Sequence, residues 1–159
     1  MGSLSSSWTN AGTNQFIPHP APTWGWVYDS LNNTSVDKNL WQKGGSTNPC
    51  PTGYHVPTHQ EQIDLHDTIV GYKAEPNVDG NYLSNSDKMW QERLLRIPAS
   101  GGRGSDDGKF FNHGISGHFS SSNSKDIYFI WNTWFNNQTS AVIAETAVAG
   151  GFNVRCIKD

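Results

Sequence analysis

Cys50-Pro51-Thr52-Gly53-Tyr54-His55-Val56-Pro57-Thr58 is the stretch on which the fold turns. Tyr54-His55-Val56 reads as a short strand, and Thr58 opens the clearest helix of the chain. Thr58 is a side-chain acceptor of the kind favoured at an N-cap, and Glu61 three residues on completes a capping box. Leu65, Ile69 and Tyr72 fall on one helical face, with Ile63 and Val70 beside it, and Gly71 is a terminator. A helix is therefore predicted over 58–72. The companion stretch is Gly151-Phe152-Asn153-Val154-Arg155-Cys156. The chain's two cysteines sit one in each stretch. Bridged, they close one long loop and point to an oxidising setting; as two buried free thiols they fix no compartment. The sequence leaves both readings open.

Bulk composition narrows the class. At 159 residues the chain has the length of one domain with a sizeable core. Charged residues are 16% and the net charge is -3, with no basic run, so nucleic acid is not an expected partner. Aromatics reach 12%, with seven Trp, beside sixteen Gly and eight Pro, which favours short strands and long irregular loops over a helix bundle. No stretch approaches the roughly 18 apolar residues of a membrane span, so no membrane insertion is expected. Met1-Gly2-Ser3-Leu4 shows none of the basic-then-apolar pattern of a secretory leader. Asn33 and Asn137 begin glycosylation sequons, which matter only in a eukaryotic secretory pathway.

Along the chain, residues 1–39 read as an arm rich in Ser, Thr, Asn and Pro that carries a first strand at Trp24-Gly25-Trp26-Val27-Tyr28 and packs on the domain. The domain proper is 40–159. Leu40-Trp41-Gln42 reads as a second short strand. After the first helix, Ser86 or Asp87 caps a second through Met89, Trp90, Arg93, Leu94 and Ile97, stopped by Pro98. Residues 100–108 form a Gly-rich loop, and His113 and His118 fall in a loop. Asp126–Thr133 alternates as a strand, with Ile127, Phe129 and Trp131 on one face. Residues 134–150 read as a loop and Phe152–Ile157 as the closing strand. Strands, then two helices, then strands argue α+β.

Five motifs in this order carry a resemblance. They are Cys50–Thr58 with Glu61, Leu95-Arg96-Ile97-Pro98-Ala99, Gly101-Gly102-Arg103-Gly104, Phe119-Ser120-Ser121-Ser122 and Gly151–Cys156. Together they resemble the Fibrobacter succinogenes major paralogous domain, which is similar to formylglycine-generating-enzyme-like domains. The resemblance covers roughly residues 40–159 and implies a variant of the C-type lectin fold, with short antiparallel strands, two helices and long irregular loops. It places Cys50 and Cys156 at structural, disulfide-forming positions. Two departures stand out: Gln62 replaces the aromatic usual after the Glu, with Ile63 or Leu65 expected to take over its packing, and Phe119 replaces the usual Trp.

The same fold group includes the variable proteins of diversity-generating retroelements, whose C-terminal segment is rewritten at adenines of a template rich in Asn codons. Changing both adenines of AAC gives Ala, Thr, Val, Ile or His, among others, and never Trp or Glu. Ala144, Thr146, Ala147, Val148 and Ala149 fit that origin, as do His113, Ile115, His118 and Ile130; Glu145 and Trp131 do not. The same residues are also what plain packing would select.

Other chemistries find little support. Formylglycine generation needs an accessible reactive thiolate, and the two cysteines match structural positions. Glu75-Pro76-Asn77 and Trp131-Asn132-Thr133 resemble calcium-lectin motifs, but Thr133 stands where a carboxylate ligand belongs and the two lie some fifty residues apart. His59 and His66 are seven apart, wider than a zinc-clasping pair, and no tetrahedral set completes them, so no metal or other cofactor is expected. No Gly-x-Ser-x-Gly elbow is present, and Ser100–Gly104 follows a helix and lacks the Lys-Ser/Thr ending of a phosphate loop. Asp106-Asp107-Gly108 reads as a turn.

The positive signal is apolar side chains in loop-like segments, which mark a protein-binding patch. Phe110, Phe129, Trp131 and Phe152 are assigned to the core. The candidate ligand-binding residues are Phe111, His113, Ile115, His118, Ile130, Trp134, Ala144, Thr146, Ala147, Val148 and Ala149. The expected function is non-catalytic binding of a protein ligand, at the cell surface, on a virion or otherwise extracellularly. The alternatives are a glycan-binding adhesin and a structural display domain.

Overall fold

The computed structural model describes residues 41–45, 48–104, 108–126, 129–147 and 150–159, with the side chains of 145–147 excepted. The expected arm and first strand, with Leu40, lie outside these residues. Trp41 and Gln42 form a turn rather than a strand, tied down by Gln42 Nε2 donating to the Ser122 carbonyl at 2.6 Å.

The first stretch folds as its chemistry requires. Tyr54–His55 is strand β1 and His59–Val70 is helix α1. Thr58 caps α1, with the reciprocal Glu61 side chain accepting from the Thr58 backbone, and Gly71 closes it in the left-handed conformation (φ 86°). The buried face of α1 differs from the expected one. Gln62, Ile63, His66 and Val70 face inward, while Leu65 is half-buried and Tyr72 exposed. Polar groups drive this choice: Gln62 Nε2 donates to the Phe119 carbonyl (3.0 Å) and His66 Nε2 meets Ser140 Oγ (3.0 Å). Gln62 thus occupies the inward position at which Ile63 or Leu65 was expected to compensate.

Tyr82–Ser84 is β2 and Lys88–Gln91 is α2, far shorter than the helix expected through Ile97. Asp87 makes no side-chain cap, and the Glu92 carboxylate accepts from the backbone N–H groups of Leu94 and Leu95, which turns the chain away. Gly102–Arg103 (β3) pairs with Phe110–Phe111 (β4) in a small hairpin. Gly117–Ser124 (β5), Phe129–Phe135 (β6) and Ser140–Ala147 (β7) join β2 in a four-stranded antiparallel sheet of order β2-β7-β6-β5. Ile157–Lys158 (β8) pairs antiparallel with β1. The architecture is α+β.

Strand β7 overturns the loop expected over 134–150, and β5 overturns the loop assigned to His118. Ser140-Ala141-Val142-Ile143-Ala144 is a continuous run without alternation because β7 lies inside the sheet and buries both faces. A turn at Asn136 feeds it: Asn136 Oδ1 accepts from the N–H groups of Gln138 and Thr139. The closing strand is correspondingly short; Gly151 and Asn153 make isolated bridges to Arg103 and Phe119.

Val70, Met89, Phe119 and Phe135 form the core, between the helices and one sheet face, with Ile69, Trp90 and Ile97 against it. None of the four aromatics assigned to the core belongs there. Phe110 is 65% exposed, Phe129 is also exposed, and Trp131 and Phe152 are half-buried. Trp131 instead stacks on His59 at 3.7 Å, at the solvent margin of α1.

The Cys50–Cys156 disulfide closes the frame across a separation of 106 residues, next to the β1–β8 pair. His55 adds a clasp, with Nδ1 2.6 Å from Asp159 Oδ1 and Nε2 3.1 Å from Glu61 Oε1.

Candidate ligand-binding surface

The β3–β4 hairpin is shaped by glycines at its root. Gly101 has φ 63° and abuts the Phe111 carbonyl, so a side chain there is strained and obstructed. At Gly102 a Cβ would lie 2.6 Å from both Phe111 Cζ and Phe152 Cε1. The two rings, 6.1 Å apart and edge to face, therefore rest on bare backbone. The turn after the hairpin is held from both sides: Gly101 N donates to Ser116 O and Gly114 N to Ala99 O, both at 2.7 Å, while Asn112 O accepts from Ile115 and Ser116. Asn112 sits at φ 53°, a conformation Asn tolerates better than most residues.

This scaffold presents apolar groups outward. Phe110 and Phe111 are successive strand residues and project to opposite sides. Phe110 faces solvent with the Arg103 guanidinium 4.4 Å above its ring, and Ile115 is 63% exposed. Phe111 turns inward over the sheet, at the boundary of exposure.

Of the predicted site residues, the structure brings Phe111, His113 and Ile115 together on this turn, and His113 is exposed. His118 lies beneath it, buried on β5. Trp134, half-buried, stands opposite His118 on β6. Ile130 and Ala144 are buried, so neither offers a surface in the folded domain. The backbones of Thr146 and Ala147 belong to β7, with Thr146 opposite Ile130 and Ala147 opposite Phe129. A register shift there sets three β7 steps, Ile143 to Thr146, against two on β6, Ile130 to Asn132. Val148 and Ala149 lie outside the described residues. Phe110 is the surface residue that sequence reasoning misplaced. The signal available was the Gly101-Gly102 pair, since adjacent glycines before an aromatic doublet imply rings lying on backbone.

The face beneath is polar. His118 Nε2 is 3.1 Å from Ser116 Oγ, and its ring lies 5.2 Å from Phe152 and 5.8 Å from Phe111. Burial lowers the His118 pKa below the ordinary imidazole value, an effect only partly offset by the neighbouring Asn132 amide. His118 Nδ1 and both amide atoms of Asn132 are buried without closing a hydrogen bond. Elsewhere, Asp67, His66 and Ser140 line up like a hydrolytic triad, at 3.4 and 3.0 Å. His66 and Ser140 are closed to solvent, and the arrangement holds α1 to β7. Asn77, of the lectin-like tripeptide, spends its side-chain oxygen on the N–H groups of Asp79 and Asn81. Among the described residues no three His, Cys, Asp or Glu side chains gather as a metal site would, and no helix is long and apolar enough to cross a membrane.

The double substitution Phe110→Ser/Ile115→Ser is expected to change stability by about 1 kcal/mol or less, since each site is exposed. That corresponds to a thermal midpoint shift of at most about 4 °C for a domain of this size. Calorimetry checks it, and a fall well beyond that returns Phe110 to the core.

Comparison with protein families, with curated proteins and with solved structures finds no match.

Proposed function

We propose that this protein is a non-catalytic ligand-binding domain with a C-type-lectin-like fold, a variable protein of the retroelement-diversified kind. It presents the hairpin surface of residues 110–115 to a protein ligand, outside a cell or on a virion. One observation carries the reading: Phe110 stands exposed on a hairpin rooted in glycine and Ile115 on the turn that follows it, where neither is buried by the fold. Large apolar side chains held outward on a rigid frame are what a protein-binding face requires. The disulfide and the β1–β8 pair support it by fixing the frame independently of the presented residues. The bridge also accords with an oxidising location.

Resequencing codons 105–159 across a population of the source tests this. Substitutions are expected to concentrate at His113, Ile115 and 146–149, with Gly102, Phe119, Phe135 and Cys156 constant. An even scatter, or none, removes diversification from the proposal.

A further inference from the structure

We propose that His118 is a proton-operated latch under the hairpin surface: uncharged, it lets Phe111 and Phe152 close over the sheet, and protonated, it lifts them and remodels the face that carries Phe110 and Ile115. The functional meaning of the latch rests on the binding role of that face; its mechanics do not.

Among the described residues His118 has no counter-charge paired with it. Along the chain its neighbours are Ser116, just before β5, and Ser120; across on β6 they are Asn132 and Trp134; above it lie Phe111 of β4 and Phe152. Among the described residues of the hairpin the charged side chains are cationic, Arg103 on the Phe110 ring and the exposed Lys109, and His113 is exposed on the following turn. No carboxylate pairs with His118 among the described residues. With Nε2 engaged by Ser116 Oγ, protonation places a new N–H at Nδ1, beside an Asn132 amide that already lacks partners. Turning that amide would offer an oxygen dipole, which solvates an imidazolium far less well than water or a carboxylate does.

Nδ1 is closed to solvent, so hydrating a proton there displaces neighbours. The sheet below is continuous, whereas the cover is two half-exposed phenyl rings. Both rings abut Gly102 of β3 and Phe111 belongs to β4, so lifting them removes packing at the root of the hairpin. The sign follows from the burial effect. Folded His118 binds its proton less readily than an unfolded histidine of ordinary pKa 6.5. The closed state therefore has its full stability above that value and loses it as pH falls toward the folded midpoint.

Nuclear magnetic resonance of the full chain between pH 8 and pH 5 tests the latch. The His118 ring is expected to titrate below 6.5, with the ring signals of Phe111 and Phe152 and the Ile115 amide moving at the same midpoint. In His118→Gln those signals stay flat. Asn132→Asp supplies the missing counter-charge: the His118 midpoint rises by about one unit or more, and the roof no longer moves with it. A roof that stays fixed while wild-type His118 titrates overturns the latch, as does a roof transition that persists in His118→Gln. If a variant fails to fold, the coincidence of midpoints in the wild type still decides. None of these readouts involves a ligand, so a failed latch leaves the binding face standing, and a failed resequencing test leaves the latch standing.

Discussion

Phe135→Ala is expected to destabilise the domain by about 3–5 kcal/mol, the range for truncating a buried aromatic. Among the described residues Phe135 is the largest fully buried side chain, 1% exposed, at the end of β6. It stacks on Phe119 with centroids 6.1 Å apart and planes 7° from parallel, and meets Trp90 edge-on at 6.5 Å. Its position beside Gly117 places the effect at the upper end. A Cβ on Gly117 would overlap the Phe135 ring, so the strand opposite offers only backbone there. Backbone in a sheet cannot collapse into the space a phenyl leaves, and cavity cost grows with the volume that stays empty. For a chain of this length the thermal midpoint falls by about 6–20 °C. Urea unfolding measures the loss directly. The contrasting substitution Phe129→Ala, at a site 39% exposed, should cost much less. Equal losses at the two positions would show that the helix-facing core is not where the packing lies.

The same contrast shows what the sequence disclosed. Helix α1 was legible from Thr58 to Gly71 because its signals are local: a capping side chain, its reciprocal Glu61 and a left-handed glycine act within a few residues. Its buried face was not legible, because Gln62 and His66 turn inward to reach Phe119 O and Ser140 Oγ, partners 57 and 74 residues away. Strand β7 was hidden for a related reason. A strand buried on both faces loses the alternation that marks a strand, and Ser140–Ala144 then looks like any short apolar run. Missing β7 misplaced the core. With no central strand, Phe129 and Trp131 were assigned inward, although the sheet buries Phe119 and Phe135 against the helices. The hairpin surface was half legible. Ile115 and His113 stand out as polar-flanked candidates, whereas in the Phe110-Phe111 doublet nothing local marks which of two successive rings the strand turns outward. The polar pair His118 and Asn132 left no signal, since their proximity depends on the β5–β6 register.

Cys50→Ser/Cys156→Ser is expected to lower stability by about 5 kcal/mol in the chain-entropy account, because the bridge closes a loop across a separation of 106 residues. What remains to hold the ends together is small. The β1–β8 pair spans two residues on each strand, and Asp159 N donates to the Gly53 carbonyl. Beside it stands the clasp of His55 with Asp159 and Glu61, joined by an exposed Lys43–Asp159 pair at 3.3 Å. Those carboxylates give the opened protein a pH signature. The His55 hydrogen bond, opposed by burial and aided by Lys43, holds Asp159 below its usual pKa of 3.8. Burial pushes Glu61 up, but hydrogen bonds from Thr58 and His55 outweigh it and hold the group below 4.5. Depressed carboxyl pKa values stabilise the folded state above the unfolded values, and that contribution is lost as pH falls through the folded ones. The bridged protein retains its covalent closure in this range, whereas the serine variant depends on the clasp. Thermal unfolding from pH 7 to pH 3 should therefore show the gap between the two proteins widening below about pH 4.5, where carboxylates begin to protonate. A constant gap across the range would mean that β1 and β8 stay paired without the clasp, and that His55 orders the ends without stabilising them.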